Sequence, residues 1–259
     1  MTKETVLITG ASKGIGRELA IIFAEKGCNL LLAARSEREL SELKVLLEKE
    51  YAVTVQTFYS DLSLPDAAQH LFEAVKSQGN DVDYLVNNAG FGDYGAFADT
   101  YWERYGKMIQ LNVTSLTQLT HLFVSQWRGR KKGKILNVSS TAAFQPGPMM
   151  AVYFASKAFV LSLSEAIDNE LRAEGITVTA LCPGPTATHF GEESKMNASQ
   201  LVKNVQIASA RSVALMGYRA MMKGKPVVIH GAMNKVAPFF IRFMPRKWVT
   251  RLSAQIMKK

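Results

Sequence analysis

Residues 5–16 read TVLITGASKGIG, an apolar run followed directly by a turn that contains three glycines. The run has the composition of a buried strand, and the amphipathic stretch after it predicts a helix. Glycines at such a junction allow a tight turn and let the backbone approach a pyrophosphate at the positive N-terminus of the helix. The spacing is Gly-x-x-x-Gly-x-Gly rather than the commoner Gly-x-Gly-x-x-Gly, and a turn without a ligand is the alternative. The stretch therefore predicts a strand–turn–helix unit that binds a nucleotide.

The rest of the chain repeats this alternation of apolar strand and amphipathic helix. Seven strands are predicted, at residues 6–9, 29–33, 53–58, 84–86, 134–138, 177–181 and 226–230. Helices are predicted at residues 16–26, 37–50, 65–78, 100–126 and 153–173. Apolar strands alternating with helices are typical of a parallel sheet covered on both faces. The sequence predicts an α/β fold: a single-domain, Rossmann-type, doubly wound parallel sheet of about seven strands with helices on both faces.

Two regions interrupt the alternation. The polar segment 184–208 follows a predicted strand, which is typical of a mobile lid within a dinucleotide-binding catalytic domain at 1–231. Residues 232–259 form a basic, apolar C-terminal extension. In it, Trp248, Leu252 and Ile256 (the C-terminal stripe) follow helical spacing with cations elsewhere, the profile of a helix that lies on a membrane surface. A helix packed over the active site or against a second subunit is the alternative that we favour, since apolar stripes usually bury in protein.

Composition excludes several classes of protein. Of the 259 residues, 47% are hydrophobic and 20% are charged, ordinary values for a globular chain. No apolar run is long enough to span a membrane, and no signal peptide is expected. Cys28 and Cys182 lie far apart in the sequence and are expected to be free thiols in a reducing compartment, which predicts a cytoplasmic protein. The four histidines show no metal-ligand spacing, so no metal site is expected.

The charge is divided unevenly along the chain. The net charge of +9 is the balance of −4 in residues 1–193 and +13 in residues 194–259, which contain no acidic residue. Such a basic segment fits an anionic membrane surface, a nucleic acid or an acidic partner, and a solvated basic face is the alternative. Because the chain has no nucleic-acid-binding motif, no nucleic-acid partner is expected.

The residues after the second predicted strand favour a cofactor with a 2′-phosphate. Folds that select NAD carry an acid there to bond the ribose 2′-hydroxyl, whereas this chain has AARS at residues 33–36. Arg35 would hold a phosphate by charge-assisted hydrogen bonds, and Lys13 in the glycine turn adds a second cation. NADP(H) is therefore the expected cofactor, with a merely solvated Arg35 as the alternative.

Candidate catalytic residues lie in the second half of the chain. The stretch YFASK at residues 153–157 places Tyr153 and Lys157 one helical turn apart on one face. A free tyrosine has a pKa of about 10, which an adjacent ammonium would lower, so that Tyr153 exchanges a proton with a substrate oxygen near neutral pH. Ser140 follows a predicted strand, where it would orient a substrate carbonyl, with a turn residue or helix cap as the alternative. Asn112 is a polar residue within an apolar helical turn, and a satisfied buried amide is its alternative.

Together these residues resemble the short-chain dehydrogenase/reductase family, in its NADP-preferring branch. The features that match it in order and spacing are the glycine turn at 9–16, Asp61-Leu62, Asn87-Asn88-Ala89-Gly90, Asn112, Ser140, Tyr153-x-x-x-Lys157 and Pro183-Gly184. The resemblance implies that Tyr153 is the general acid/base, that Ser140 orients the carbonyl and that Lys157 lowers the tyrosine pKa and binds the nicotinamide ribose. It implies a water of the proton relay at Asn112. It also implies a set of cofactor-binding residues: Gly10, Ser12, Lys13, Gly14, Ile15, Gly16, Arg35, Asp61, Leu62, Asn88, Ala89, Gly90, Tyr153, Lys157, Pro183, Gly184, Thr186 and Thr188.

The segments expected around the substrate are apolar. They contribute Phe91, Tyr94, Phe97, Phe144, Met149, Met150, Phe190 and Met196, with Pro146-Gly147-Pro148 stiffening one wall. Such a pocket fits a lipophilic ketone, aldehyde or acyl chain better than a sugar, with ordinary core packing as the alternative for each residue.

The sequence thus predicts an NADP(H)-dependent reductase of a lipophilic carbonyl compound, which the resemblance makes a homodimer or homotetramer. The basic extension adds peripheral membrane contact as an expectation. A non-catalytic nucleotide sensor and a membrane-surface scaffold on the same fold are the alternatives. Retention of Asn112, Ser140, Tyr153 and Lys157 argues against both, since neither role requires these four residues.

Overall fold

The computed structural model describes residues 3–188 and 207–257. The strands are β1 (Thr5–Thr9), β2 (Asn29–Ala34), β3 (Val55–Tyr59), β4 (Tyr84–Asn87), β5 (Gly133–Val138), β6 (Ile176–Cys182), β7 (Thr186–Ala187), β8 (Ala208–Ser209) and β9 (Val227–Ile229). The α-helices are α1 (Gly14–Glu25), α2 (Glu37–Glu50), α3 (Ala67–Ser77), α4 (Trp102–Ile109), α5 (Leu116–Trp127), α6 (Ala151–Leu171), α7 (Ala210–Met222), α8 (Met233–Ile241) and α9 (Arg246–Met257). Phe190, Met196 and most of the predicted lid lie outside the described residues.

Seven of these strands form one parallel sheet in the order β3-β2-β1-β4-β5-β6-β9. The order reverses between β1 and β4, because the chain returns to the middle of the sheet after β3. Open α/β sheets bind ligands in the crevice at such a reversal, beyond the carboxyl ends of the strands. The predicted doubly wound sheet is confirmed, and its reversal marks where a site should lie.

Two layers of buried side chains cover the sheet. On one face, helices α1, α2 and α7 pack through Leu19, Leu40 and Val213. On the other face, α3 and α5 pack through Phe72 and Phe123, whose rings meet edge to face with centroids 5.0 Å apart. Successive residues of the central strands alternate between the two layers, as the period of two along a strand requires.

Helix α7 is absent from the sequence prediction. Its buried side includes the small residues Ala214, Gly217 and Ala220, which contribute little to an apolar pattern. A Cβ on Gly217 would lie 2.7 Å from the side chain of Leu181, so the glycine lets α7 approach β6 closely. Gly217 therefore weakens the helical pattern in the sequence, but the packing of α7 against β6 requires it.

The helix predicted at 100–126 is divided into α4 and α5 by a π-helical turn, Gln110–Ser115. The hydroxyl of Ser115 donates to the Leu62 carbonyl at 2.7 Å and accepts from the Gln110 amide at 3.1 Å. These bonds tie the wider turn to the segment after β3. Such turns are frequent at functional sites, and this one contains Asn112.

The helix predicted from residue 246 is α9, but the face that packs on the domain is not the C-terminal stripe. Val249, Ser253 and Met257 are buried, whereas the stripe is exposed. The Tyr94 hydroxyl donates to the Met257 carbonyl at 2.6 Å and holds the end of α9 beside the loop after β4. No helix within the described ranges is both long and apolar enough to cross a bilayer. The division of the chain at residue 231 stays a prediction.

Candidate active site

The glycine turn between β1 and α1 needs its three glycines for different reasons. Gly10 and Gly14 have φ angles of +64° and +55°, in the left-handed region that favours glycine. Gly16 faces the turn itself, where a Cβ would overlap the Gly10 carbonyl oxygen. Gly16 therefore shapes the turn from behind and does not line the cavity described below, and its predicted cofactor contact stays a prediction.

The loop after β4 braces this turn. The Asn88 side-chain amide donates to the carbonyls of Thr9 and Gly10, both at 3.0 Å. The Thr9 hydroxyl accepts from the backbone N–H groups of Asn88 and Ala89, both at 3.1 Å. Thr9 is missed by the sequence analysis because its partners lie in a loop that only the fold brings alongside.

A cavity of about 490 Å³ runs from the glycine turn to Tyr153. Almost all the predicted site residues lie in its walls: Gly10, Ser12, Lys13, Gly14, Ile15, Arg35, Asp61, Leu62, Asn88, Ala89, Gly90, Ser140, Tyr153, Lys157, Pro183, Gly184, Thr186 and Thr188. Residues far apart in the sequence meet there because the carboxyl ends of parallel strands share one edge of the sheet.

At one end of the cavity, an acid that the sequence analysis missed accompanies the predicted cations. Glu39, in the first turn of α2, places a carboxylate oxygen 2.8 Å from the Lys13 ammonium. Lys13 and hydrogen bonds from Ser36 and Ser12 lower the pKa of the Glu39 carboxyl. Lys13 is therefore paired in this structure with an acid that lies outside residues 33–36. The α2 helix turn returns Glu39 to the cavity, which the residues at 33–36 alone do not reveal.

Asp61 lies in the wall nearby. Its carboxylate accepts from the backbone N–H and the hydroxyl of Ser63, at 3.0 and 2.7 Å. These bonds fix the orientation of the carboxylate at the edge of the cavity. The adenine contact that the resemblance implies for Asp61 stays a prediction.

Tyr153 and Lys157 lie one turn apart at the start of α6, and both are buried. The Lys157 ammonium donates to the Val138 carbonyl at 2.9 Å and lies 5.8 Å from the centroid of the Tyr153 ring. The Ser140 hydroxyl, at the end of β5, accepts from the Ala142 N–H at 3.1 Å. The phenol, the ammonium and the hydroxyl thus face one end of the cavity.

Burial decides the protonation of this group. It raises the pKa of Tyr153 to about 12, against the lowering effect of a hydrogen bond with Ser140. It also lowers the pKa of Lys157 to about 8. The prediction that Lys157 holds the Tyr153 pKa near neutrality is wrong for the chain alone, because burial of the phenol raises its pKa. Tyr153 is protonated at neutral pH, the form that donates a proton.

Asn112 is fully buried behind the cavity wall. Its side-chain oxygen accepts from the Phe91 N–H at 3.1 Å, and its amide donates to the Phe91 carbonyl at 2.9 Å and to the Ser156 hydroxyl at 3.1 Å. The side chain is thus the satisfied buried amide of the alternative interpretation, and it fixes the loop after β4. The role of Asn112 in a proton relay stays a prediction.

Of the apolar residues predicted around the substrate, Phe91, Phe144 and Met150 line the cavity. Tyr94 does not line the cavity, and its hydroxyl donates a hydrogen bond to the Met257 carbonyl. Phe97 and Met149 are exposed instead, which contradicts their predicted place. The Phe97 ring stacks on the ring of Tyr105. The wall is completed by residues that the sequence analysis did not select: Leu111, Ala142, Phe154, Met233, Ala237, Pro238, Ile241 and Met257.

The cysteines and the other possible metal ligands are not clustered in the part of the chain that the structure describes. Cys28 and Cys182 are buried and free. Among the residues in 3–188 and 207–257, His, Cys, Asp and Glu form no group of three that could hold a metal ion.

Comparison with known proteins identifies the family. The family model described as short chain dehydrogenase matches residues 4–199, more than half of the chain. The chain belongs to the short-chain dehydrogenase family. This confirms the resemblance, and membership makes the chain an oxidoreductase.

Two relatives and one solved structure illustrate the similarity of this short-chain dehydrogenase to known proteins. It is 36% identical to the very-long-chain 3-oxoacyl-CoA reductase of Laccaria bicolor over 177 residues, 68% of this chain and 52% of that protein. It is 29% identical to the Rattus norvegicus protein of the same name over 247 residues, 93% of this chain and 77% of that one. A solved short-chain dehydrogenase from Sphingobium yanoikuyae, in complex with NADPH, is 31% identical with a TM-score of 0.82, covering 93% of this chain and 94% of that one.

The site of this short-chain dehydrogenase fits a dinucleotide. A side chain at Gly10 would clash with Asn88 and Ala89, and one at Gly14 would clash with Thr188, so the two glycines let these segments close on the turn at the N-terminus of α1. The cavity extends from that turn past Asp61 to the buried Tyr153. The phosphates of a dinucleotide would therefore lie at the glycine turn, and its reacting ring would lie beside Tyr153.

Proposed function

We propose that this short-chain dehydrogenase is an NADP(H)-dependent reductase of lipophilic carbonyl compounds, with Tyr153 as the proton donor. The observation that carries the proposal is the meeting of Tyr153, Ser140 and Lys157 at the far end of the cavity that begins at the glycine turn. The similarity to an NADPH-bound dehydrogenase supports the cofactor, and the similarity to 3-oxoacyl-CoA reductases supports the direction.

The residues at the near end would hold the cofactor. Arg35 would bind the 2′-phosphate, with Lys13 as a second cation once it leaves Glu39. The backbone of the glycine turn would bind the pyrophosphate, and Asp61 would contact the adenine. Bound NADPH would supply the hydride.

The residues at the far end would handle the proton. The Ser140 hydroxyl would hydrogen-bond the substrate carbonyl and hold it against Tyr153. The Tyr153 hydroxyl would give its proton to the carbonyl oxygen, and the Lys157 ammonium would stabilise the phenolate left behind. Because Tyr153 and Lys157 are both buried, this attraction acts with little screening by water.

The substrate class follows from the walls around Tyr153. Phe91, Phe144, Met150 and Phe154 supply aromatic and thioether surface, which adapts to aliphatic chains and rings. Such walls leave the hydroxyl groups of a sugar without partners. We propose a lipophilic ketone, an aldehyde or an acyl thioester as the substrate.

A panel of carbonyl compounds tests this function. Oxidation of NADPH, followed by its absorbance, is expected with long-chain 3-oxoacyl thioesters or bulky lipophilic ketones, and only weakly with sugars, because sugars would bury unpaired hydroxyl groups. Activity confined to polar carbonyls would contradict the substrate class. NADPH binding with no turnover on any carbonyl would favour the sensor alternative.

The pH dependence of reduction tests the roles of Tyr153 and Lys157. The pKa of Lys157 is lowered to about 8, so the residue is charged below that pH and neutral above it, whereas Tyr153, at about 12, stays protonated. We therefore expect kcat/KM to be level at neutral pH and to fall as the pH rises through about 8. In the variant Lys157→Arg the guanidinium does not titrate near pH 8, so the fall of kcat/KM should move to higher pH. A profile unchanged by this substitution would exclude Lys157 as the titrating group.

We also propose an oligomeric state and a cellular location for the protein. We expect a homodimer or homotetramer, in which a second subunit would cover the exposed aromatic residues Tyr101 and Trp102. We place the protein in the cytoplasm, with peripheral membrane contact through the C-terminal extension.

A further inference from the structure

Helices α8 and α9 form a wall between the cavity and solvent. They contribute Met233, Ala237, Pro238, Ile241 and Met257 to the cavity lining, and of these Pro238 and Met257 are buried. The wall is anchored at both ends. The Asn234 amide donates to the His230 carbonyl at 2.8 Å, and the Tyr94 hydroxyl donates to the Met257 carbonyl. One side of this helix pair therefore belongs to the site.

A second side of the same helices carries large apolar side chains in solvent. This surface, the outer face, comprises Phe239, Phe240, Phe243, Trp248, Leu252 and Ile256. Phe239 meets Phe240 and Phe243 edge to face, with ring centroids 5.4 and 5.5 Å apart, although Phe243 is 75% exposed. Large apolar side chains exposed in such numbers mark a surface that contacts another molecule.

Basic residues surround the outer face. Lys235, Arg242, Arg246, Lys247 and Arg251 are all exposed, and the sequence from residue 194 to the end contains no acid. Trp and Phe combined with Lys and Arg on one surface are typical of helices that lie in the headgroup region of a bilayer. Exposed cations there are attracted to anionic lipids.

A second copy of the chain fits this surface less well. In a two-fold contact each patch meets the same patch of its partner. Arg242, Arg246 and Arg251 would then lie near the corresponding cations of the other copy, and no acid of the outer face would compensate them. An anionic bilayer supplies both the apolar layer and the opposite charge.

We propose that the outer face of α8 and α9 lies on an anionic lipid bilayer and that the substrate enters the cavity from that bilayer, past the α8–α9 wall. The second part rests on the proposed function. Because Ile241 and Met257 face the cavity from the same helices that carry the outer face, a lipophilic molecule would travel from lipid to Tyr153 along apolar surface.

Sedimentation of the full chain with vesicles tests the first part. The protein should bind phosphatidylcholine vesicles that contain phosphatidylserine, bind pure phosphatidylcholine weakly, and lose affinity in high salt. The variant Arg246→Gln/Lys247→Gln/Arg251→Gln should bind the anionic vesicles about 100-fold less tightly, since each cation near the surface contributes about fivefold. The variant Phe239→Ser/Phe243→Ser/Trp248→Ser should also lose binding, because it removes the inserted apolar surface.

Matched controls lie on other surfaces of the fold. Lys26→Gln/Lys49→Gln/Lys225→Gln removes three exposed cations, and Val45→Ser/Tyr59→Ser/Leu64→Ser removes three exposed apolar side chains. Both controls should bind vesicles like the unaltered protein. Equal losses in controls and test variants would contradict the proposal, as would an unaltered protein that stays in the supernatant. Test variants that reduce the molar mass in light scattering and leave vesicle binding unchanged would assign the outer face to a second copy instead.

Activity tests the second part. The outer-face variants should reduce a water-soluble ketone at the normal rate and a long-chain carbonyl substrate dissolved in anionic vesicles at least tenfold more slowly. Equal rates on the vesicle substrate would overturn entry from the bilayer. If the unaltered protein binds vesicles but reduces no carbonyl, the proposed function fails while membrane contact stands, so the two failures are distinguishable.

Discussion

The variant Tyr153→Phe is expected to lose carbonyl reduction while it binds NADPH as well as the unaltered protein does. The substitution removes one hydroxyl and keeps the ring, which packs with Phe91, Met150 and Met257. Without the hydroxyl, the group that we propose as the proton donor to the carbonyl oxygen is lost. General acid catalysis contributes about 10²–10⁴-fold, so kcat should fall by about that factor.

The measurements are the rate of NADPH oxidation and, separately, NADPH affinity by fluorescence titration. Tyr105→Phe is the matched control, because Tyr105 is buried in the same apolar cluster and does not line the cavity. It should keep full activity. A Tyr153→Phe enzyme with more than a tenth of the normal kcat would remove Tyr153 from the mechanism.

The variant Arg35→Ala is expected to weaken NADPH binding by about 10- to 100-fold and to leave NADH binding nearly unchanged. Arg35 lies in the cavity wall at the carboxyl end of β2, where the ribose of a bound dinucleotide would lie. A charge-assisted hydrogen bond contributes about 1.5–3 kcal/mol, which corresponds to that change in Kd. The effect is specific because only NADPH carries the 2′-phosphate.

Arg38→Ala serves as the control for this prediction. Arg38 is close to Arg35 in the sequence, but its side chain is 88% exposed and pairs with Glu42. Its removal should leave both affinities unchanged. Equal weakening of NADPH and NADH by Arg35→Ala would refute the assignment to the 2′-phosphate.

Glu39→Gln should act in the opposite direction. The Glu39 carboxylate pairs with Lys13, and it would repel a 2′-phosphate placed between Lys13 and Arg35. Its neutralisation releases Lys13 for the phosphate, so NADPH binding should tighten while NADH binding does not. Weaker NADPH binding in this variant would show that Glu39 helps to hold the cofactor.

These residues differ in whether the local sequence identifies them. The motif at 9–16 predicts a phosphate-binding turn because glycine is required by local backbone geometry, and the turn has that geometry. Glu39 carries no such local signal. It matters because one turn of α2 brings it to Lys13, 26 positions back in the chain.

The same distinction applies to the catalytic group. The spacing of Tyr153 and Lys157 fixes their common helix face, and α6 places them so. Their pKa values depend on how many atoms surround them, and the sequence-based prediction for Tyr153 fails because burial is a property of the folded molecule.

The sequence by itself determined the doubly wound sheet and the glycine turn, because strand and helix periods and glycine conformations are local properties. Its resemblance to the family supplied most of the predicted residues that meet in the cavity. Only the tertiary structure decided that Asn112 lies behind the wall, that Glu39 neutralises Lys13, and that α9 packs through Val249 and Met257 while its stripe faces solvent. These outcomes depend on contacts between segments far apart in the chain. The helical spacing of apolar residues in α9 predicts an apolar face, but it does not predict which molecule covers that face.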